Sequence, residues 1–231
     1  MKRVVQICLL ILLLVSPAGA AMINGSFESG GFDGWDVTIP YGESEFDGWR
    51  PAGSASVSGS ASYGHSATQG SFTACIGTGN EYFIDNQTWQ ITASQYVNLS
   101  AMETLSGDAF FYNGDYEPQD TGWVRIFDTL GNEVANPWIE YSGGANQGDP
   151  NSTDYNSATD WTHWEWQAAT AGLYQLVLGV STFGDNRFKS YAYFDNIQTQ
   201  SVPEPSIIFL MGLAFFTGGG VVFKKRTKPQ K

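Results

Sequence analysis

The sequence is poor in cysteine, in histidine and, through its centre, in positive charge. Of the two cysteines, Cys8 falls in an N-terminal segment expected to be removed, so Cys75 is left alone and forms no internal disulfide. It sits in Ser71-Phe72-Thr73-Ala74-Cys75-Ile76, which reads as a strand, and a buried, inert thiol is expected there. The only histidines, His65 and His163, are far apart in the chain, and no Gly-x-Ser-x-Gly or His-Glu-x-x-His pattern occurs. Between residues 21 and 201 the only basic residues are Arg50, Arg125, Arg187 and Lys189, against 22 of the 23 acids, a net charge of -18. A field of that sign repels nucleic acid and disfavours dense polyanions unless calcium bridges the two. No amphipathic helix pattern is evident between the two ends.

What is present is aromatic, glycine-rich and turn-rich: 8 Trp, 11 Tyr, 15 Phe and 27 Gly. Short β-branched and aromatic runs are divided by Gly, Asn, Asp and Ser clusters. Strands are predicted at 22–28, 54–62, 70–76, 88–99, 107–112, 122–128, 133–140, 160–168, 172–182 and 190–198. Leu130-Gly131-Asn132 reads as a hairpin turn. Ten short strands predict an all-β fold, an antiparallel β-sandwich.

The ends read differently. Lys2-Arg3, an apolar run from Ile7 to Val15, and Ala18-Gly19-Ala20 form a secretory signal, with cleavage expected after Ala20. At the other end, Val202-Pro203-Glu204-Pro205 precedes an uncharged stretch, 206–223, and then Lys224-Lys225-Arg226. As a helix that stretch spans about 27 Å, near the thickness of the hydrocarbon layer. The positive-inside rule places the basic tail in the cytoplasm. The expected organisation is a signal peptide (1–20), a β-sandwich domain (21–199), a linker (200–205), a transmembrane helix (206–223) and a basic tail (224–231).

The order Pro-Glu-Pro, apolar span, basic cluster resembles the PEP-CTERM sorting signal. That resemblance implies export, signal peptidase and exosortase as processing partners, transient anchoring, and a place at the surface or in the extracellular matrix of a Gram-negative, exopolysaccharide-producing bacterium. Within the domain, Ile23-Asn24-Gly25-Ser26-Phe27-Glu28 with Gly34-Trp35, the run Ala171-Gly172-Leu173-Tyr174-Gln175-Leu176, and Tyr193-Phe194-Asp195-Asn196-Ile197 resemble galactose-binding-like jelly rolls, the fold of many carbohydrate-binding modules. The resemblance implies neighbouring first and last strands that share a structural calcium (Ca2+), with Glu28 and Asp195 as ligands. The alternative is that both carboxylates face solvent or cap turns. A second acidic segment, 149–155 with Asp160 beyond it, spaces oxygen ligands at alternate positions. It has Asp154 where a calcium loop of the EF-hand type needs Gly, so an ordinary loop is the simpler reading.

Aromatic faces stack on sugar rings while neighbouring polar groups read the hydroxyls. In 161–166, alternation puts Trp164 and Trp166 on one face and Trp161, His163 and Glu165 on the other, and one of the two faces must be core. Trp35 is expected in the core; Trp49, Trp123, Trp138 and Trp161 are the candidate sugar contacts. Acid pairs such as Asp108 with Asp115, or Glu43 with Glu45, are what a glycosidase needs, but so many acids produce such pairs by chance. A non-catalytic polysaccharide-binding module is the leading expectation. An adhesive surface protein without a sugar site comes second, and a hydrolase third.

Overall fold

The computed structural model describes residues 22–44, 48–79, 87–116, 120–143, 151–183 and 188–201. The chain divides into two compact units, Met1–Gln200 and Ser201–Lys231. The signal segment, the Pro-Glu-Pro motif, the apolar span and the basic tail lie outside the described residues. Among the described residues no helix is long and apolar enough to cross a membrane.

Two six-stranded sheets make the domain. The first runs β1 (Asp36–Thr38), β6 (Thr88–Leu99), β13 (Gly172–Phe183), β8 (Thr121–Phe127), β9 (Glu133–Ser142) and β10 (Ser152–Thr153). The second runs β11 (Ser157–Ala158), β7 (Thr104–Asn113), β14 (Tyr191–Gln200), β5 (Thr73–Thr78) and β4 (Gly53–Ser58), with β12 (Thr162–Gln167) also paired to β7. A hairpin of β2 (Tyr41–Ser44) and β3 (Gly48–Pro51) stands apart from both. Every pairing is antiparallel except that of β10 with β9. This is the antiparallel β-sandwich expected from the sequence.

Period-two patterning builds it. Along β6, Trp89, Ile91, Ala93, Gln95, Val97 and Leu99 are buried, while Gln90, Thr92, Ser94, Tyr96 and Asn98 point the other way. Leu176, Leu178 and Val180 do the same for β13, and Phe111, Phe194 and Ile76 close the core from the second sheet. The β8–β9 connection is the expected turn. Gly131 takes φ +80°, and Asp128 Oδ1 accepts the N–H groups of Leu130 and Asn132, each at 2.9 Å.

One strand expectation fails. Residues 22–28 are not a strand: Asn24 and Phe27 have φ of 48° and 56°, and the segment is a chain of turns that drops Phe27 into the core. Its Val/Ile-poor, Asn-Gly-Ser content favours turns over a pleated ladder. The 149–155 segment, described from Asn151, follows its simpler reading without a cation loop having been needed to explain it. Ser152–Thr153 pairs with β9 and Thr153 is buried.

Candidate functional site

The side chains that turn away from the core on the first sheet form ordered rows across its strands. Register aligns Gln90 with Ser181 and Thr121, Thr92 with Gly179 and Trp123, Ser94 with Val177 and Arg125, and Tyr96 with Gln175 and Phe127. At the centre, a Cβ on Gly179 would stand 2.6 Å from the Trp123 ring. The glycine thus lets the indole lie down across the sheet. The Arg125 guanidinium sits 4.3 Å above that ring, and Arg125 Nε lies 3.6 Å from Glu133 Oε2. Gln175 Nε2 donates to Ser94 Oγ at 3.2 Å, and Tyr96 beside it is 60% exposed. Among the described residues no loop is hydrogen-bonded across this face. It offers amides, hydroxyls, a guanidinium and one projecting phenol ring to whatever lies on it.

The outer face of the second sheet is closed instead. Its rows bring Cys75, Tyr193 and Phe110 together, and Gly77, Tyr191 and Tyr112. The 59–72 loop lies over them. A tight turn puts Tyr63 at φ 50° and Gly64 at φ 87°, with Tyr63 stacked 3.7 Å from Tyr112 and His65 4.6 Å from Phe110. Phe110 points outward yet is only 1% exposed, which is the measure of that cover. Burial pushes the Cys75 thiol up to about 11 and the Tyr63 hydroxyl up to about 12. At 11 the Cys75 sulfur carries almost no thiolate at neutral pH, which makes it the inert thiol expected.

Asp195 and Glu28 fasten the same loop. Asp195 Oδ2 accepts from Thr68 N at 2.7 Å, Thr68 Oγ1 at 3.1 Å and Gln69 N at 2.8 Å; Oδ1 accepts from Asn196 N at 2.6 Å. Burial raises the Asp195 pKa, and these hydrogen bonds hold it down. Glu28 Oε1 accepts from Ser71 N at 2.8 Å and Phe72 N at 2.9 Å. Ile197 N donates to Gly25 O at 2.9 Å, so the two chain segments meet as expected. Among the described residues no three His, Cys, Asp or Glu side chains gather around one point. Asp195 and Glu28 serve here as acceptors for the N–H groups of Thr68, Gln69, Ser71 and Phe72, which is the turn-capping alternative.

The other sequence candidates fall as follows. Trp138 is 4% exposed and belongs to the core, packed edge-on to Phe194 at 5.8 Å. Trp123 is 1% exposed in the floor of the first sheet. Both were candidate sugar contacts; they occupy the middle of β9 and β8, where pleat and packing leave no free ring face. For Trp49 only its place in β3 is described. Trp161 is half-buried at the margin of the second sheet, 4.6 Å from Phe110, with Nε1 donating to Ser66 O at 3.0 Å. Trp164 and Trp166 face the core, leaving Trp161, His163 and Glu165 outward. Asp108 does not pair with Asp115. It bonds His163 Nδ1 at 2.8 Å and accepts from Asn196 Nδ2 at 3.0 Å, whereas Asp115 is buried beyond the end of β7. Tyr96 and Gln175 were missed. Their signal was the polar half of the β6 and β13 alternation, which the sequence shows without saying which half faces out.

No protein-family model matches the chain, and no curated protein matches it. Among solved structures it is similar to TmCBM61 in complex with β-1,4-galactotriose, at 15% identity and a TM-score of 0.46, over 78% of this chain and 97% of that one. It is also similar to the K1 cleaved adhesin domain of Lys-gingipain from Porphyromonas gingivalis W83, at 13% identity and a TM-score of 0.43, over 81% and 100%. A third is the enzymatically active domain of bacteriophage CBA120 tailspike protein 4, at 10% identity and a TM-score of 0.45, over 78% of this chain but 21% of that one.

Proposed function

We propose that this is an exported, exosortase-sorted surface or matrix protein whose β-sandwich binds polysaccharide without catalysis. The observation that carries the binding reading is the polar and aromatic outer row of the first sheet. There Tyr96 projects beside Gln175 and Ser94, and Arg125 lies over Trp123. A phenol ring supplies a stacking surface, and the adjacent amide and hydroxyl groups supply directional hydrogen bonds to sugar hydroxyls. The export reading is supported by the Ala18-Gly19-Ala20 and Val202–Arg226 sequence features.

The test is a glycan array followed by calorimetry on the hits. Tyr96→Ala and Gln175→Ala are expected to weaken binding about tenfold each, the scale of one lost stacking or polar contact. Both side chains lie outside the core, so melting temperatures should stay put. Unchanged affinity in both variants rejects this face.

We also propose that calcium binds at Glu28 and Asp195. Calcium at a hundredfold excess over its Kd adds about 2.7 kcal/mol. That corresponds to a rise of roughly 5–10 °C in melting temperature for a domain of this size. Thermal melts in chelator, magnesium and calcium measure it. Glu28→Ala and Asp195→Ala should each remove most of the calcium increment, and an equal increment from magnesium indicates diffuse screening instead.

A further inference from the structure

At one end of the sandwich the core-facing rows of both sheets turn polar. In the first sheet, register sets Ser181 beside Thr121 and Thr121 beside Tyr141. In the second it sets Gly77 beside Tyr191 and Tyr191 beside Tyr112. One residue further toward that end, pleating turns the side chains inward. Those positions are Thr182, Asp120 and Ser142 on one sheet, and Thr78, Ser190 and Asn113 on the other, each at most 1% exposed. The ladders run on to this row: Ser142 N donates to Asp120 O at 2.8 Å, and Thr78 N to Ser190 O at 3.0 Å. Two residues back along four of these segments the inward residues are Val180, Ile76, Ala192 and Phe111, all apolar. Asp115 stands just beyond β7, 2% exposed, its N–H donating to Asn113 Oδ1 at 2.8 Å.

The polar row thus holds two buried carboxylates. Burial is the main reason the Asp120 pKa rises, and the charge of Asp115 adds to it, so the two groups are within electrostatic reach. Asp120 Oδ2 accepts from Thr78 Oγ1 at 3.3 Å, but Oδ1 has no hydrogen-bond partner among the described residues. Thr182 Oγ1 is directed at the same carboxylate and closes no hydrogen bond to it. Arg50 and Lys189 share a cavity with Thr78, but both are exposed while the carboxylates are not. Carboxylates this deep destabilise a fold unless something meets their charge, and an apolar layer would serve packing better.

We propose that this end of the sandwich binds a calcium ion between the Asp115 and Asp120 carboxylates, with the Thr182 hydroxyl beside them. Every donor in the row is an oxygen, which suits a hard cation, and two carboxylates match its double charge. Calcium takes roughly six to eight oxygens in flexible geometry, whereas magnesium demands an octahedron and keeps its waters, which a row this buried disfavours. Asp120 opens a strand of the first sheet and Asp115 follows a strand of the second, so the ion ties the two sheets together at this end. Asp195 lies five residues along the chain from Ser190, about 16 Å in an extended strand, so this site is separate from Glu28 and Asp195. It stands whether or not that site or the glycan reading does.

The test is calorimetric titration of the full chain, freed of metal by chelator and dialysis, with calcium chloride. An equivalent of calcium should persist in Glu28→Ala, and Asp115→Asn and Asp120→Asn should each abolish it. Asparagine keeps the shape of the carboxylate, so in chelator both variants should give the circular dichroism spectrum of the wild type. Thr182→Val, which removes one neutral ligand, should weaken that equivalent roughly tenfold. An equivalent lost in Glu28→Ala and kept in Asp120→Asn belongs to the other site, so the two readings fail separately. The inference is overturned if no equivalent survives Glu28→Ala, if the surviving one is indifferent to both asparagine variants, or if magnesium at the same concentration fills it equally well. Should the asparagine variants not fold, the Glu28→Ala and Thr182→Val titrations still decide.

Discussion

In chelator, the domain should lose about 4 kcal/mol of stability as pH rises from about 4 to about 7, and Asp120→Asn should remove most of that loss. Asp120 stands at the start of β8 and is 1% exposed. Thr78 Oγ1 donates to its Oδ2 at 3.3 Å, while Oδ1 has no hydrogen-bond partner. Burial is the main reason its pKa rises from 3.8 to about 7; the neighbouring Asp115 adds to it, and nearby hydroxyls oppose it. The sign follows from proton binding. Below about pH 4 the carboxyl is protonated in both the folded and unfolded chains, and its stabilising contribution is complete. Between 4 and 7 the unfolded chain gives up the proton and the folded chain keeps it, so stability falls by about 1.4 kcal/mol per pH unit. Above 7 this group contributes no further slope. Urea unfolding from pH 4 to 8 measures the curve. A slope remaining in Asp120→Asn is assigned to Asp195, which burial raises in the same direction. Identical curves for wild type and variant would mean that Asp120 is not buried as described.

Trp138→Ala should destabilise the domain by about 3–5 kcal/mol, the cost of removing a large aromatic from a packed core. Its ring lies between the sheets, against Phe194, and a Cβ on Gly122 would be 3.1 Å from it. Nothing collapses readily into that volume, because both neighbouring sheets are held by long ladders. Its Nε1 makes no hydrogen bond, so the loss is one of packing rather than of a polar partner. The melting temperature should fall by roughly 10 °C or more. Trp161→Ala, at the margin of the second sheet, should cost about 1 kcal/mol. If Trp138→Ala instead leaves the melt unchanged and abolishes glycan binding, the indole is a ligand contact and the core placement is wrong.

The ladders were legible to different degrees. β6 matches its predicted range of 88–99 to the residue, because twelve residues of strict alternation have no competing pattern. β13 and the β8–β9 hairpin were equally plain, the first from its aliphatic run and the second from Gly131. The short strands β1, β2, β3, β10 and β11 were not found. At two to four residues each they carry too little periodicity to be told from loops, and long-range partners make them strands. In 161–166 the two faces were separated correctly, but only packing decided that Trp164 and Trp166 were the buried pair.

The sequence by itself determined that this chain is a β-sandwich, that its centre is strongly acidic, and that alternating residues of each long strand form two distinct sets. These are local or additive properties, written in period two, in turn residues and in charge. The tertiary structure decided which set of each strand faces the core, that the second sheet is roofed by its own loop, and that Asp120 is buried. It also decided that Asp195 fastens Thr68, 127 residues away. Those outcomes depend on which segments pack on which. Pairing across such separations is fixed by the whole fold, so no window of sequence contains it.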